Sequence, residues 1–376
     1  MTMLPDFKLE TFFSKWEFNA KYHMCASDME TLTLTQLLEL ASNEDREKWN
    51  NLPLKYIETY GMPELRSVVS STYEAQSEEN ILAFAGAEEG IYIAMHCILN
   101  KDDHAIVITP NYQSSETIPA SICDVTGVEL ECNNDWNLDI QKLSDSIKSN
   151  TRLIAINFPH NPTGKVISLD VLNDLIEISR KHNIYLFSDE VYRLMERDKK
   201  IRLPQVVDIY EKGLSLNVMS KAYGLPGLRI GWIASKDIKL LDKMERMKHY
   251  LSICNSSPSE FLSIIALKAR EKILERNRNI ISDNLDLLNP FFDENKSLFD
   301  WKEPDGGCIG YPKYLGDDGA IRFCETLIKD FGLMLLPSSV YQSELTQLSN
   351  DYFRIGYGRI KMKDGLEVLK QAIKKL

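Results

Sequence analysis

The sequence predicts an α/β fold: a large unit with a mostly parallel, mixed sheet between helices, plus a smaller α+β unit built from the N- and C-terminal segments. Three observations carry this. From residue 80 onward, short apolar runs alternate with longer amphipathic segments. Several of those runs are apolar on both faces, as a buried parallel or mixed sheet requires. From Glu260 the alternation gives way to a long helical stretch followed by short strands. A chain of 376 residues exceeds one ordinary small domain. The expected boundaries are 41–275 for the large unit, with 1–40 and 276–376 forming the small one.

In chain order, "ILAFAG", "HAIVITP", "RLIAINFP", "IYLFSDEVY", "LSLNVMS" and "RIGWIAS" read as strands. Between them Glu89 to Leu99, Ile140 to Ser149 and Asp170 to His182 are amphipathic helices. Glu260 to Phe292 carries apolar residues at spacings of three and four and predicts one long helix, with Pro290 as a stop near its end. The remainder holds "IGYPKY", a helix in "AIRFCETLIKDFG", strands in "LMLLP" and "YFRIGYG", and a final helix from Gly365. The first 40 or so residues are too few to stand alone and are expected to pack with this C-terminal part.

A net charge of −11 argues against a nucleic-acid surface, since a phosphate backbone demands clustered cations. The basic stretches "KHYLS" and Lys268 to Lys272 are interleaved with acids and read as solvated helix faces. The N-terminal "MTMLPDFKLETFF" lacks the basic region, apolar core and cleavage site expected of a leader, and no apolar run approaches the ~18 residues of a membrane span, so the expected location is the cytoplasm. Seven scattered cysteines, none in a C-x-x-C pair, support neither a disulfide framework nor a metal site.

Polar residues cluster where the strands end, which is where open α/β sheets bind ligands. Asn161 stands in "NFPHNPTG", as a turn residue or a ligand contact. Asp189 follows the apolar run of "SDEVY", either as a cap or as a partner for a positive group, with Tyr192 three residues on. Lys221 and Arg229 flank the turn in "SLNVMSKAYGLPGLRIGW" beside the core, where a charge must pair, snorkel or lose its proton. In "FAGAEEGIYIA" a strand and a glycine lead into a helix start, so the amides of Ala87 and Glu88 face whatever lies at its N-terminus. Together these residues describe one ligand, with a phosphate for the helix end and Arg229, a carbonyl for Lys221 and a ring atom for Asp189.

The segments "YIETYGMPELR", "AGAEEG", "NFPHNPTG", "SDEVY", "SKAYGLPGLRIGW", "EPDGGCIGYP" and "FRIGYGR" occur in this order along nearly the whole chain. Their joint presence resembles the fold-type I pyridoxal-phosphate enzymes, specifically the class I/II aminotransferases. The resemblance implies that Lys221 forms the Schiff base with the cofactor, which requires a deprotonated amine, and an apolar site beside other cations favours one. It implies that Asp189 pairs with the pyridine nitrogen, and that Asn161 and Tyr192 hydrogen-bond the ring's phenolic oxygen. Arg229, Ser220 and the Ala87 and Glu88 amides would hold the phosphate. Tyr112 would stack on the ring. Tyr56 would reach the phosphate of a neighbouring subunit, so the expected assembly is a homodimer with shared active sites. Arg354 would take the substrate α-carboxylate in a bidentate pair, with Arg359 nearby as a substitute.

Two departures from the family stand out, the first bearing on a phosphate contact and the second on the substrate. Val218 stands three positions before Lys221, where many members carry a hydroxyl. "CASDME", Cys25 to Glu30, replaces the usual N-terminal G-x-P turn. Here and elsewhere the chain is similar to a subgroup that includes capreomycidine synthase, whose chemistry is elimination and cyclisation. The expected activity is transamination of an α-amino acid with a 2-oxo acid. The alternative is β-elimination, replacement or cyclisation, and a minor one is a non-catalytic pyridoxal-phosphate-binding module. Ser27, Asp28 and Tyr22 are either candidates for side-chain recognition or ordinary loop polarity.

Overall fold

The computed structural model describes residues 4–375. Its centre is a seven-stranded sheet of β1 (Ile81–Phe84), β2 (His104–Thr109), β3 (Asp124–Glu129), β4 (Thr151–Asn157), β5 (Tyr185–Asp189), β6 (Gly213–Val218) and β7 (Gly231–Ser235), in the order β1-β7-β6-β5-β4-β2-β3. Only β7 opposes its neighbours, pairing antiparallel with β1 and β6, and every other pairing is parallel. Alternate residues of the central strands feed two cores: Ala105, Val107, Leu153 and Ala155 on one face, Ile106, Ile108, Ile154 and Ile156 on the other.

All six expected strands are present. The sequence reading left out β3, because this edge strand "DVTGVE" buries only Val128 and lacks an apolar run. The helix expected over Ile140 to Ser149 spans only Ile140–Asp145, started by the Asp139 carboxylate accepting from the Gln141 and Lys142 amides.

The long helix differs more. It is two helices, Ser257–Lys268 and Arg270–Glu294, which meet at Ala269. Pro290 is no stop, since the second helix runs past it. A proline costs one intrahelical hydrogen bond, and here the buried Phe291 and Phe292 offset that loss by packing on Phe299 and Trp301. In "KHYLS" His249, Tyr250 and Leu251 are exposed as a solvated face requires, but Lys248 is fully buried.

The two chain ends meet. Tyr22 and His23 pair in parallel with Leu333 and Met334, while Phe353–Gly356 lies between Ile309–Gly310 and Leu336–Pro337. The helix Lys8–Trp16 turns Leu9, Phe12, Phe13 and Trp16 onto a cluster with Met334, Leu336 and Tyr341. The final helix, Met362–Ala372, starts one turn before Gly365. Among the described residues no helix is long and apolar enough to cross a membrane.

Candidate active site

Strand register brings the polar residues together. Asn157 is opposite Asp189, and Asp189 is opposite Leu216, so the C-terminal ends of β4, β5 and β6 lie side by side. The chain leaving each carries Asn161, Asp189 with Tyr192, and Ser220 with Lys221. All of them line one cavity of about 1070 Å³, together with Ala87, Glu88, Tyr112, Arg229, Arg354 and Arg359. Val218 lines it too, so no hydroxyl stands at that position. Tyr56 does not line it: it is 85% exposed on the surface of its own chain.

Lys221 Nζ donates to Ser27 Oγ at 2.9 Å. Burial pulls its pKa below the usual lysine range, opposed by Asp28 and aided by the Arg354 charge. Asp189 is buried at the end of β5, where Oδ1 accepts from the Val191 amide at 3.1 Å. Burial pushes its carboxyl up to about 6. The buried Tyr192 donates its hydroxyl to the Ser27 carbonyl at 3.0 Å.

Arg354 is 1% exposed on the middle strand of the three-stranded sheet. Its Nη1 donates to Tyr341 Oη at 2.6 Å and Asn161 Oδ1 at 3.3 Å, and Nη2 donates to the Cys25 carbonyl at 2.8 Å. Its Nε is buried without a partner. Arg359 is committed elsewhere, to the Asp28 carboxylate at 2.6 Å, which disfavours it as a substitute.

A second corner of the cavity has the groups that could hold an anion. The helix Ala87–Ile98 starts there, and its first amides have no intrahelical acceptor. Gly86, which precedes it, has φ of +96°, and a Cβ there would run into the Arg229 guanidinium. The exposed Arg229, itself left-handed at φ 52°, reaches back over this turn. Glu88 accepts from Ser114 Oγ at 3.0 Å, and burial pushes its carboxyl up to about 7.

Sequence reasoning missed part of the lining. Glu10, Phe13 and Glu17, on or just after the N-terminal helix, reach the cavity, and Glu10 accepts from Tyr112 Oη at 3.0 Å. The apolar spacing of Leu9, Phe12, Phe13 and Trp16 could have announced that this helix packs on the body. Tyr341, which joins Arg354 to Asn161, sits in "SSVYQ" and carries no such signal.

A seven-stranded α/β sheet with a lysine, an aspartate and an anion cradle at its strand ends is the architecture of a large class of cofactor-dependent transferases. Residues 20–373 match the family Aminotransferase class I and II, and the chain belongs to it. A PLP-dependent aminotransferase from Streptococcus suis 89-1591 has the same fold, with a TM-score of 0.93 and 30% identity over 100% of this chain and 99% of that one. The capreomycidine synthase of Streptomyces vinaceus is 24% identical over 98% of this chain and 94% of its own. The probable aspartate aminotransferase of Methanocaldococcus jannaschii is 25% identical over 73% of this chain and 74% of its own.

Proposed function

We propose that the protein is a pyridoxal-phosphate-dependent aminotransferase of an α-amino acid, working through Lys221. The observation that carries this is the convergence on one cavity of Lys221, Asp189 and a buried Arg354 whose Nε has no partner. Pyridoxal phosphate fits the residues present. Its phosphate suits the helix start at Ala87, with the amides of Ala87 and Glu88, Ser220 and Arg229 around it, and the absence of a Cβ on Gly86 leaves the guanidinium its place. Its ring nitrogen suits the buried Asp189 carboxyl, which welcomes a positive partner. Asn161 and Tyr192 suit the phenolic oxygen, and Tyr112 a ring face. When bound, the group supplies a carbonyl for amines and an electron sink for the bond broken at Cα.

Arg354 fixes the substrate by its carboxylate, which sets which Cα bond points across the ring. The lowered pKa of Lys221 keeps a share of its Nζ neutral, able to take the Cα proton and to return it elsewhere. Ser27 Oγ holds that amine between transfers, and Tyr192 anchors Ser27 through its carbonyl. Phe13 of the N-terminal helix gives the cavity an apolar wall.

The reading extends to a division into 41–275 and 1–40 with 276–376, to the cytoplasm, and to a homodimer in which Tyr56 reaches the other subunit's phosphate. The likeness to capreomycidine synthase over 98% of this chain favours elimination or cyclisation as the second reading. Incubation with a 15N-labelled amino acid and a 2-oxo acid separates the two. Label recovered in the amino acid formed from the acceptor supports transamination. Label retained in a rearranged donor, with none in the acceptor, overturns it.

A further inference from the structure

Lys248 is a cation buried in the core, far in sequence from any residue assigned a role above. Its Nζ donates to the Thr59 carbonyl at 2.8 Å and to the Ala83 carbonyl at 2.8 Å, two segments separated along the chain by the helix Pro63–Ser70. Ala83 belongs to β1, three residues before Gly86 in the anion cradle. Thr59 lies three residues after Tyr56, in a stretch without regular structure from Leu52 to Thr59.

Around this amine the same two segments are stitched further. Ala83 N donates to the Tyr60 carbonyl at 2.9 Å. The buried Glu260 accepts from Met62 N at 2.7 Å and from Asn255 Nδ2 at 2.7 Å. Glu89, in the first turn of the cradle helix, accepts from Ala85 N at 2.6 Å and Ser252 N at 3.3 Å. A buried ammonium facing two neutral carbonyls is costly, and a methionine of similar length would fill the same space without its charge. What the amine adds to the Ala83–Tyr60 bond is a second tie between the cradle strand and this segment, one residue nearer Tyr56; the segment carries Leu54 and Tyr56, which are 86% and 85% exposed.

We propose that Lys248 is a positioning residue: by pinning Thr59 to Ala83 it sets where Tyr56 is presented to the phosphate of a second subunit. This rests on the shared-site reading above. Lys248 touches neither ligand. It acts through the chain that carries Tyr56, and Glu260 acts on the far side of the same chain at Met62.

The test is the rate at which pyridoxal phosphate leaves the holoprotein on dilution, followed by loss of its visible absorbance. The proteins compared are the wild type, Tyr56→Phe, Lys248→Met and the double variant. Loss of a hydrogen bond to a charged group predicts release about tenfold faster or more from Tyr56→Phe. Lys248→Met should release comparably fast, with the double variant no faster than the faster single, because both act on one contact. An unchanged rate in Lys248→Met, or a double variant showing the full product of the two effects, overturns the role of Lys248 alone. A wild-type rate in Tyr56→Phe overturns the shared-site reading and the role of Lys248 with it. If Lys248→Met does not fold, Lys248→Gln, which is too short to span both carbonyls but keeps a polar end, replaces it in the same cycle, with the same outcomes decisive.

Discussion

Ser27 meets both ends of the reacting centre: its hydroxyl accepts from Lys221 Nζ at 2.9 Å and its carbonyl from Tyr192 Oη at 3.0 Å. The segment "CASDME", which departs from the family's usual turn, is therefore in contact with the proposed base. Removing the Ser27 hydroxyl takes away one hydrogen bond, worth about 0.5–1.5 kcal/mol. Ser27→Ala should lower kcat by up to about tenfold while pyridoxal phosphate still binds. Lys221→Ala should abolish turnover altogether. Steady-state kinetics on both variants checks the contrast, and equal losses would deny Lys221 its special role.

Arg354→Ala should weaken carboxylate substrates by roughly 2–5 kcal/mol, the usual loss when a buried charge pair loses one member. The effect belongs in KM more than in kcat. A dissociation constant for a non-reacting carboxylic acid reads it directly. Unchanged affinity would move the carboxylate site away from Arg354.

Gly86→Ala should damage the anion cradle twice over. The positive φ disfavours a side chain, at about 1–3 kcal/mol, and the new Cβ displaces the Arg229 guanidinium. The expected result is a weaker hold on both pyridoxal phosphate and inorganic phosphate, measured by equilibrium dialysis. Binding equal to the wild type would place the phosphate elsewhere.

Glu190 is a pH probe of the core behind the site. It is buried, its Oε1 accepts from Val206 N and Ser215 Oγ, and its Oε2 has no partner. Burial raises its folded pKa to about 7 from an ordinary 4.5. A raised folded pKa means that the folded state holds a proton the unfolded state has lost. The stability is therefore fully present below about 4.5 and is lost as pH rises through about 7. Between pH 5 and 8 the unfolding free energy of the wild type should fall relative to Glu190→Gln by about 3 kcal/mol at most. The comparison cancels the other titrating groups, among them Asp189 and His160. A pH-independent difference would show that Glu190 stays ionised.

Most of the site was legible because its residues sit in short motifs fixed by strand ends. Asn161, Asp189 and Lys221 each follow an apolar run, and parallel register then aligns them. The parts that were not legible depend on long-range closure. Tyr341 reaches Asn161 across 180 residues and Ser27 reaches Lys221 across 194, and no local pattern announces either. Lys248 was misread for the same reason, since a lysine between Met247 and His249 looks solvated until the carbonyls of Thr59 and Ala83 are folded onto it. Strand β3 escaped because an edge strand needs few apolar residues, and Pro290 misled because tertiary packing overrode a local helix breaker.

The central claim is that Lys221 moves the α-proton in a transamination. The most direct measurement is a single turnover of the holoprotein with one amino acid at a time and no acceptor, recording the visible spectrum and the products together. The account predicts that, for the true donor, each bound pyridoxal phosphate becomes pyridoxamine phosphate with one equivalent of 2-oxo acid, and that Lys221→Ala forms neither. A new product with the original spectrum restored and no pyridoxamine phosphate, or equal conversion by Lys221→Ala, would contradict it.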